Sequence, residues 1–399
     1  MATLSKIAQM IRPSATFAIT NKAKQMAAQG VDVIGFGVGE PDFDTPDNIK
    51  EAAIKAIRSG FTKYTPSSGT DELKAAICRK FKVENGLDYK PSEIIVSCGA
   101  KHSIYNMVIT LCDPDDEVII PAPYWVSYPD MAMMAHAKPV FIPTSDKDNF
   151  KINAEKLDRA ITPRAKLLIL NSPSNPTGMV YTEQELRAVV GLAVKRGLFV
   201  ISDEIYEKCI YDGWKHVSPA GFGPEFKAKV LTVNGLSKAY AMTGWRIGYT
   251  AGPEEIIKAA GKAQDHSTSN PVSIAQKAAV EALSGDQSAT AKMAAEFDRR
   301  RKYIVDRLNK MPGVSCLMPP GAFYVFPNVS KLFGRKLMGV DVKGSVQLVD
   351  VLLEKAHIAA VPGAPFGADD YIRFSYATAM DKIVQGMDRM ENALRTGLA

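Results

Sequence analysis

Four apolar runs in the middle of the chain each end on residues able to do chemistry. Val230-Leu-Thr-Val233 leads into Asn234-Gly-Leu-Ser-Lys238 and on to Gly244-Trp-Arg246-Ile-Gly248, an amine and a guanidinium. Leu198-Phe-Val-Ile201 leads into Ser202-Asp203-Glu204-Ile-Tyr206, a carboxylate and a phenol. Leu167-Leu-Ile-Leu170 is followed by Asn171-Ser-Pro-Ser-Asn175-Pro-Thr-Gly178, and Ile94-Ile-Val-Ser-Cys98 by Gly99-Ala-Lys101 at the start of a helical pattern. Short continuous apolar runs are characteristic of buried parallel strands, and open parallel sheets bind ligands beyond the carboxyl ends of their strands. Singly these residues mean little, since an Asp after a strand is more often a helix cap and a lone Lys usually carries its ammonium to water. Together they form a complementary set. An amide, a carboxylate with a phenol, an amine with a guanidinium and a small-residue turn into a helix N-terminus suit an aromatic aldehyde carrying a phosphate.

The elements that must position these groups alternate. Val118-Ile-Ile120 and Pro139-Val-Phe-Ile142 are further strand candidates, and Lys101–Leu111 reads as a helix. Thr182-Glu-Gln-Glu185 is a capping box, after which Leu186, Val189, Val190, Ala193 and Val194 recur at helical spacing until Gly197. Such β-α-β order implies right-handed crossovers and a mainly parallel sheet flanked by helices. Later the pattern changes: Glu296 to Lys310 reads as a charged helix, Pro312, Gly313, Pro319, Pro320 and Gly321 interrupt the chain, and a mixed α+β pattern follows. The expectation is an α/β protein with a large domain over 48–295 and a smaller α+β domain over 296–399, which an N-terminal segment, 1–47, joins.

The chain's 399 residues, 46% hydrophobic and 23% charged, describe an ordinary globular protein rather than a disordered or fibrous one. No apolar stretch approaches the ~20 residues needed to cross a bilayer. The excess of 49 Lys plus Arg over 43 Asp plus Glu is small and scattered, which argues against nucleic acid and suits anionic metabolites. Cys78, Cys98, Cys112, Cys209 and Cys316 form no Cys-x-x-Cys pair and the histidines lack ligand spacing, so reduced thiols and no metal are expected. Residues 1–31 hold Lys6, Arg12, Lys22 and Lys24 and no acid, a bias shared by organelle transit peptides. Arg12-Pro-Ser-Ala-Thr16 nevertheless leads into foldable sequence without a cleavage-like break, and the cytoplasm is the expected location. Gly35-Phe-Gly37-Val-Gly39 lacks the spacing and the following helix of a dinucleotide site.

The stretch Gly-Leu-Ser-Lys238-Ala-Tyr-Ala-Met-Thr-Gly-Trp-Arg246-Ile-Gly resembles the pyridoxal-phosphate attachment signature of class I aminotransferases. Further blocks stand in that family's order: Gly39-Glu-Pro-Asp-Phe-Asp-Thr-Pro46, Lys63-Tyr64-Thr-Pro, Pro123-Tyr-Trp125-Val-Ser-Tyr, Asn175-Pro-Thr-Gly, Gly321-Ala-Phe-Tyr324 and Tyr371-Ile-Arg373-Phe-Ser-Tyr-Ala-Thr378. Within the family the chain is most similar to the bacterial-type aspartate aminotransferases, a subgroup that includes aspartate/prephenate enzymes. The resemblance implies a seven-stranded, mainly parallel sheet in the large domain, pyridoxal 5′-phosphate as coenzyme and a homodimer. It also implies ping-pong transfer of the amino group of L-aspartate to 2-oxoglutarate. Prephenate or aromatic partners on the same machinery are the alternative, and a β-C–S lyase a further one. A transcription regulator built on this fold is not expected, because Gly39-Glu-Pro follows too early for a DNA-binding module ahead of it.

By the same resemblance, Lys238 would carry the coenzyme and, once freed, shuttle a proton between the substrate Cα and the coenzyme C4′, which requires an amine of depressed pKa. Asp203 would pair with the protonated pyridine nitrogen, Tyr206 and Asn175 with the ring 3′-oxygen, and Trp125 would stack on the ring. Arg246 and the backbone at Ala100 and Lys101 would hold the phosphate, with Tyr64 crossing to it from a partner subunit. Arg373 would grip the substrate α-carboxylate as a bidentate pair, helped by Asn175 and the backbone of Gly39. Ser14 and Thr16 lie in a segment that would cover the substrate. Two positions depart from the family pattern. Residue 235 is Gly where many relatives carry a phosphate-binding Ser or Thr, so that hydroxyl is missing or comes from Ser237. No residue clearly matches the partner-subunit arginine that animal-type enzymes use for the distal carboxylate; the resemblance to the bacterial subgroup implies Lys101 in that role, with Arg12 a second cation near the entrance.

Overall fold

The computed structural model describes residues 4–398 apart from Arg12 and Ser14. Seven strands form the central sheet: β1 (Ile94–Ser97), β2 (Glu117–Ala122), β3 (Lys138–Pro143), β4 (Ala165–Asn171), β5 (Phe199–Asp203), β6 (Val230–Gly235) and β7 (Gly248–Ala251). They lie in the order β1-β7-β6-β5-β4-β2-β3, and β7 alone runs against its neighbours. The apolar runs predict β1 to β6. They do not predict β7, whose Gly-Tyr-Thr-Ala has no run of its own and is held by pairing with the distant β1 and with its sequence neighbour β6.

Alternation along the strands gives the sheet two apolar faces. Ile95, Ile120, Ile169, Ile201 and Val233 pack under helices Ala100–Leu111 and Ser127–Met134. Val96, Ile119, Leu168, Val200 and Val230 pack under helices Asp71–Lys80, Glu183–Lys195 and Ser273–Ser284. The capping box forms as expected. Thr182 N–H donates to Glu185 Oε2 at 2.7 Å, and Glu185 N–H donates to Thr182 Oγ1 at 3.3 Å.

A second sheet of three short antiparallel strands, β8 (Tyr324–Val325), β9 (Val361–Pro362) and β10 (Ile372–Ser375), has β10 in the middle. Helices Ser288–Asn309, Ser345–Ala356 and Met380–Gly397 surround it. The helix expected from Glu296 begins at Ser288 and runs across residue 296. Thr290 and Met293 extend its buried stripe toward Phe297 and Arg301 at helical spacing. The N-terminal segment joins this half: Ile34–Gly35 pairs in parallel with Ile358–Ala359, and Ser375 N–H donates to Phe36 O at 2.8 Å. Ile205, Tyr206 and Cys209, just past β5, share one apolar cluster with Phe323 and Tyr324. The two halves therefore meet at the carboxyl edge of the large sheet. Among the described residues no helix is long and apolar enough to cross a membrane.

Candidate active site

Strand register brings the chemistry together. Asn171 and Asp203 are paired at the ends of β4 and β5, and Gly248 is opposite both Ser97 and Gly235. A cavity of about 490 Å³ opens above these ends, lined by four cationic side chains, Lys101, Lys238, Arg246 and Arg373, and two carboxylates, Glu40 and Asp203. That surplus of positive charge suits an anionic guest.

Asp203 is buried on the sheet face toward helix Ser127–Met134, where Tyr128 O–H donates to its Oδ2 at 2.6 Å and Ile205 N–H to its Oδ1 at 3.3 Å. Burial lifts its carboxyl from 3.8 to about 6, and those two donors oppose the rise. Lys238 follows β6, is half-buried, and donates to Gly39 O at 2.5 Å. Desolvation lowers its ammonium from 10.5 to about 8; Glu40 opposes this, while Arg373 and Arg246 add repulsion. A carboxyl raised and an amine lowered in one cavity leave both near neutrality, which acid–base work requires.

The helix end of the cavity is built around glycines. Helix Ala100–Leu111 begins with no capping side chain and no acid in its first turn, and the N–H groups of Ala100 and Lys101, both cavity-lining residues, have no hydrogen-bond partner among the described residues. Gly99 has φ +86°, and a Cβ there would strike the Arg246 guanidinium. Arg246 donates to Thr243 O at 2.8 Å and to Cys98 O at 3.3 Å, and makes no ion pair among the described residues. A Cβ on Gly248 would overlap the Ala100 amide nitrogen. Gly248→Ala should therefore cost about 1–3 kcal/mol of stability through overpacking. It should also weaken inorganic phosphate binding, because the helix end must retreat; denaturant unfolding and phosphate titration check both. At Gly235 a Cβ would come within 3.0 Å of Gly248 Cα and of Ile247 O. A hydroxyl-bearing side chain there would have to displace β7.

Arg373, in the middle strand β10, donates through Nη1 to Asn175 Oδ1 at 3.0 Å and through Nη2 to Gly37 O at 2.6 Å. It is 2% exposed, pairs with no carboxylate among the described residues, and its Nε is buried without a partner. Burial pushes its pKa down. An unpaired buried guanidinium is costly unless an anion joins it. Asn175 is fixed by its own N–H, which donates to Asn171 Oδ1 at 2.7 Å. Trp125 lines the cavity, with Lys101 Nζ 4.9 Å from its ring centre; Lys101 is held below its usual pKa by desolvation and by Arg246.

Of the residues singled out in the sequence, Gly39, Ala100, Lys101, Trp125, Asn175, Asp203, Tyr206, Lys238, Arg246 and Arg373 line this cavity, as do Thr16 and Ser237. Tyr64 does not; it is 92% exposed. Arg12 and Ser14 lie outside the described residues. Sequence reasoning gave no role to Tyr128, Tyr324 or Glu40, all of which reach the cavity. Tyr128 stands one helical turn after Trp125, a signal that could have found it. It also gave no role to the polar group behind β5. There Glu204 accepts from Ser202, Ser218 and His216, and Glu207 pairs with Lys80. Glu204, Glu207 and His216 lie close enough to share an ion, but Lys80 already supplies positive charge to Glu207.

Known proteins resemble this chain in sequence and fold. The profile described as "Aminotransferase class I and II" matches residues 31–389. An aspartate aminotransferase of Geobacillus stearothermophilus is 50% identical over 387 residues, 97% of this chain and 98% of that protein. An aspartate/prephenate aminotransferase of Nitrosomonas europaea is 48% identical over 98% of this chain and 99% of its own. The crystal structure of the aspartate aminotransferase from Rhizobium meliloti superposes with a TM-score of 0.96 at 43% identity, over 100% of both chains. The Thermus thermophilus aspartate aminotransferase with maleate superposes at 0.92 and 42% identity, over 99% of this chain and 100% of that one.

Proposed function

The chain belongs to the class I and II aminotransferase family, and on that footing we propose that it moves the amino group of L-aspartate to 2-oxoglutarate in two half-reactions at one pyridoxal 5′-phosphate site. The observation that carries this reading is the meeting of Lys238, Asp203, Arg246 and Arg373 on one cavity. The residues fit the coenzyme. Arg246 and the uncapped helix at Ala100 and Lys101 would take the phosphate, with Ser237 in place of the hydroxyl that Gly235 lacks. Asp203 would hold a proton on the ring nitrogen, Tyr206 and Asn175 would bond the ring oxygen, and Trp125 would cover a ring face. The bound coenzyme supplies a sink for the electron pair left when the substrate Cα–H bond breaks.

Lys238 takes that proton and returns it, and its depressed pKa leaves a usable fraction of neutral amine near pH 8. Arg373, with Asn175 and the backbone at Gly39, grips the α-carboxylate and orients the Cα–H bond. Its buried Nε and missing carboxylate partner are what such a guest would satisfy. Lys101 reads the distal carboxylate, assisted by Arg12. The smaller domain, residues 1–47 and 296–399, closes on the large one over 48–295 to exclude water. The exposed Tyr64 reaches the phosphate of a second copy's site in a homodimer. Five free thiols suit the reducing cytoplasm, where we place the reaction.

A second reading, prephenate as amino acceptor, is favoured by the relatives named aspartate/prephenate aminotransferase. A panel of amino donors against 2-oxoglutarate, with prephenate as an added acceptor, separates the two by their specificity constants. Release of pyruvate, ammonia and a thiol from a cysteine conjugate would instead identify a lyase. Lys101→Ala should lower kcat/KM for aspartate by roughly 10- to 100-fold, the value of one charge-assisted bond, and leave alanine nearly unchanged. An equal loss for both donors rules Lys101 out as the distal reader.

A further inference from the structure

Tyr324 stands where three parts of the site meet. It comes from β8, opposite Ser375 in the middle strand, and is 1% exposed. Its Oη is 2.8 Å from Tyr206 Oη. The Arg373 guanidinium carbon is 4.6 Å from the centre of its ring, and a Cβ on Gly39 would fall 2.5 Å from its hydroxyl oxygen. Tyr206 and Arg373 belong to different halves of the molecule, and this phenol touches both.

Two phenols 2.8 Å apart can place one proton between them, so one donates and the other accepts. Burial raises both pKa values, and the Arg373 charge opposes the rise at each. A phenol has one proton, so a Tyr206 that donates to the coenzyme's ring oxygen, as proposed above, must accept from Tyr324. Tyr206 Oη is then filled as an acceptor and has no other partner among the described residues. Its own O–H is left to point into the cavity it lines. Resting on the function given above, we propose that Tyr324 is a positioning residue that couples the carboxylate clamp Arg373 to Tyr206 and so orients Tyr206 as a donor to the coenzyme's ring oxygen.

The coupling has a direction. A carboxylate on Arg373 offsets the guanidinium charge over the Tyr324 face, which weakens Tyr324 as a donor and, through it, Tyr206. The ring then becomes more basic when the clamp is filled than when it is empty. Occupation of the substrate site would thus be reported to the coenzyme through a phenol that touches neither reacting atom.

The test is a pH titration of the visible absorbance of the holoenzyme, with and without maleate, for the parent, Tyr324→Phe, Tyr206→Phe and the double variant. Phe keeps the ring over Arg373 and removes only the hydroxyl, and melting temperatures verify that each variant is folded. Tyr324→Phe is expected to raise the unliganded midpoint by roughly half a unit, one neutral hydrogen bond, and to shrink the shift that maleate produces. In the Tyr206→Phe background the same change should have no further effect. Equal midpoints and equal maleate shifts in the parent and Tyr324→Phe overturn the coupling, as does full additivity in the double variant. Tyr324→Leu, which also loses the aromatic face, should weaken maleate binding by about 2- to 10-fold. A parent protein with no visible band at all overturns the assigned function, and the coupling with it; a parent that responds normally while Tyr324→Phe matches it overturns the coupling alone.

Discussion

Lys238→Ala yields a folded protein whose transamination is lower by roughly 10⁴- to 10⁶-fold, the loss seen when the central group of a cooperating set is removed. The visible band of the lysine-attached coenzyme disappears with it, because no amine remains to form that attachment. Stability moves the other way. In the folded protein Lys238 has its pKa depressed to about 8 from 10.5. The charged amine is therefore held at a cost below pH 8, and that cost is relieved as the pH rises from 8 toward 10.5. Without coenzyme, the variant should be at least as stable as the parent at pH 7, by denaturant unfolding. Turnover at more than a few per cent of the parent rate, without added amine, would remove the lysine from the chemistry altogether.

Asp203→Asn is expected to lower kcat by about 10²- to 10⁴-fold with little change in the Michaelis constant for aspartate. The amide keeps an oxygen for Tyr128 but carries no charge to hold a proton on the ring nitrogen. The sign on stability follows from the raised carboxyl, about 6 against 3.8. The folded state favours the protonated acid, so burying the charge costs nothing below pH 3.8 and its cost grows as the pH rises through 6. The coenzyme-free variant should therefore be more stable than the coenzyme-free parent above pH 6, and the gain should fade toward pH 4. A variant that is less stable at pH 8 and equally active would mean that Asp203 is an ordinary structural group. Activity bought with stability in this way marks a working site.

Much of the large-domain part of the site was legible because its chemical groups come at or soon after the end of an element with a strong local pattern, whereas Arg373, inside β10, was named through the family resemblance. Asp203 ends a continuous apolar run, Lys238 comes shortly after another, and Ala100 opens a helix behind Gly99. The block Thr182 to Glu185 even gave the start of its helix by hydrogen-bond chemistry alone. Strand β7 was not legible, since Gly-Tyr-Thr-Ala has no period to read and pairs with residues more than a hundred positions upstream as well as with its neighbour. The departure at Gly235 read as a lost hydroxyl; the packing of Gly248 and Ile247 against it supplies the steric reason.

Composition, periodicity and the spacing of motifs are short-range properties, and they determined the fold class, the ends of the strands and the identity of the reacting groups. The tertiary structure alone decided which neutral or charged neighbours surround those groups. Tyr128 reaches Asp203 across 75 positions, Arg373 finds Gly37 O across 336, and Tyr324 meets Tyr206 across 118. Such contacts depend on how helices cross the sheet and how two halves close on each other, and no local propensity encodes them. Since burial and these partners set the proton affinities of Asp203 and Lys238, the sequence names the reactive residues, while their readiness to react is a product of the packing around them.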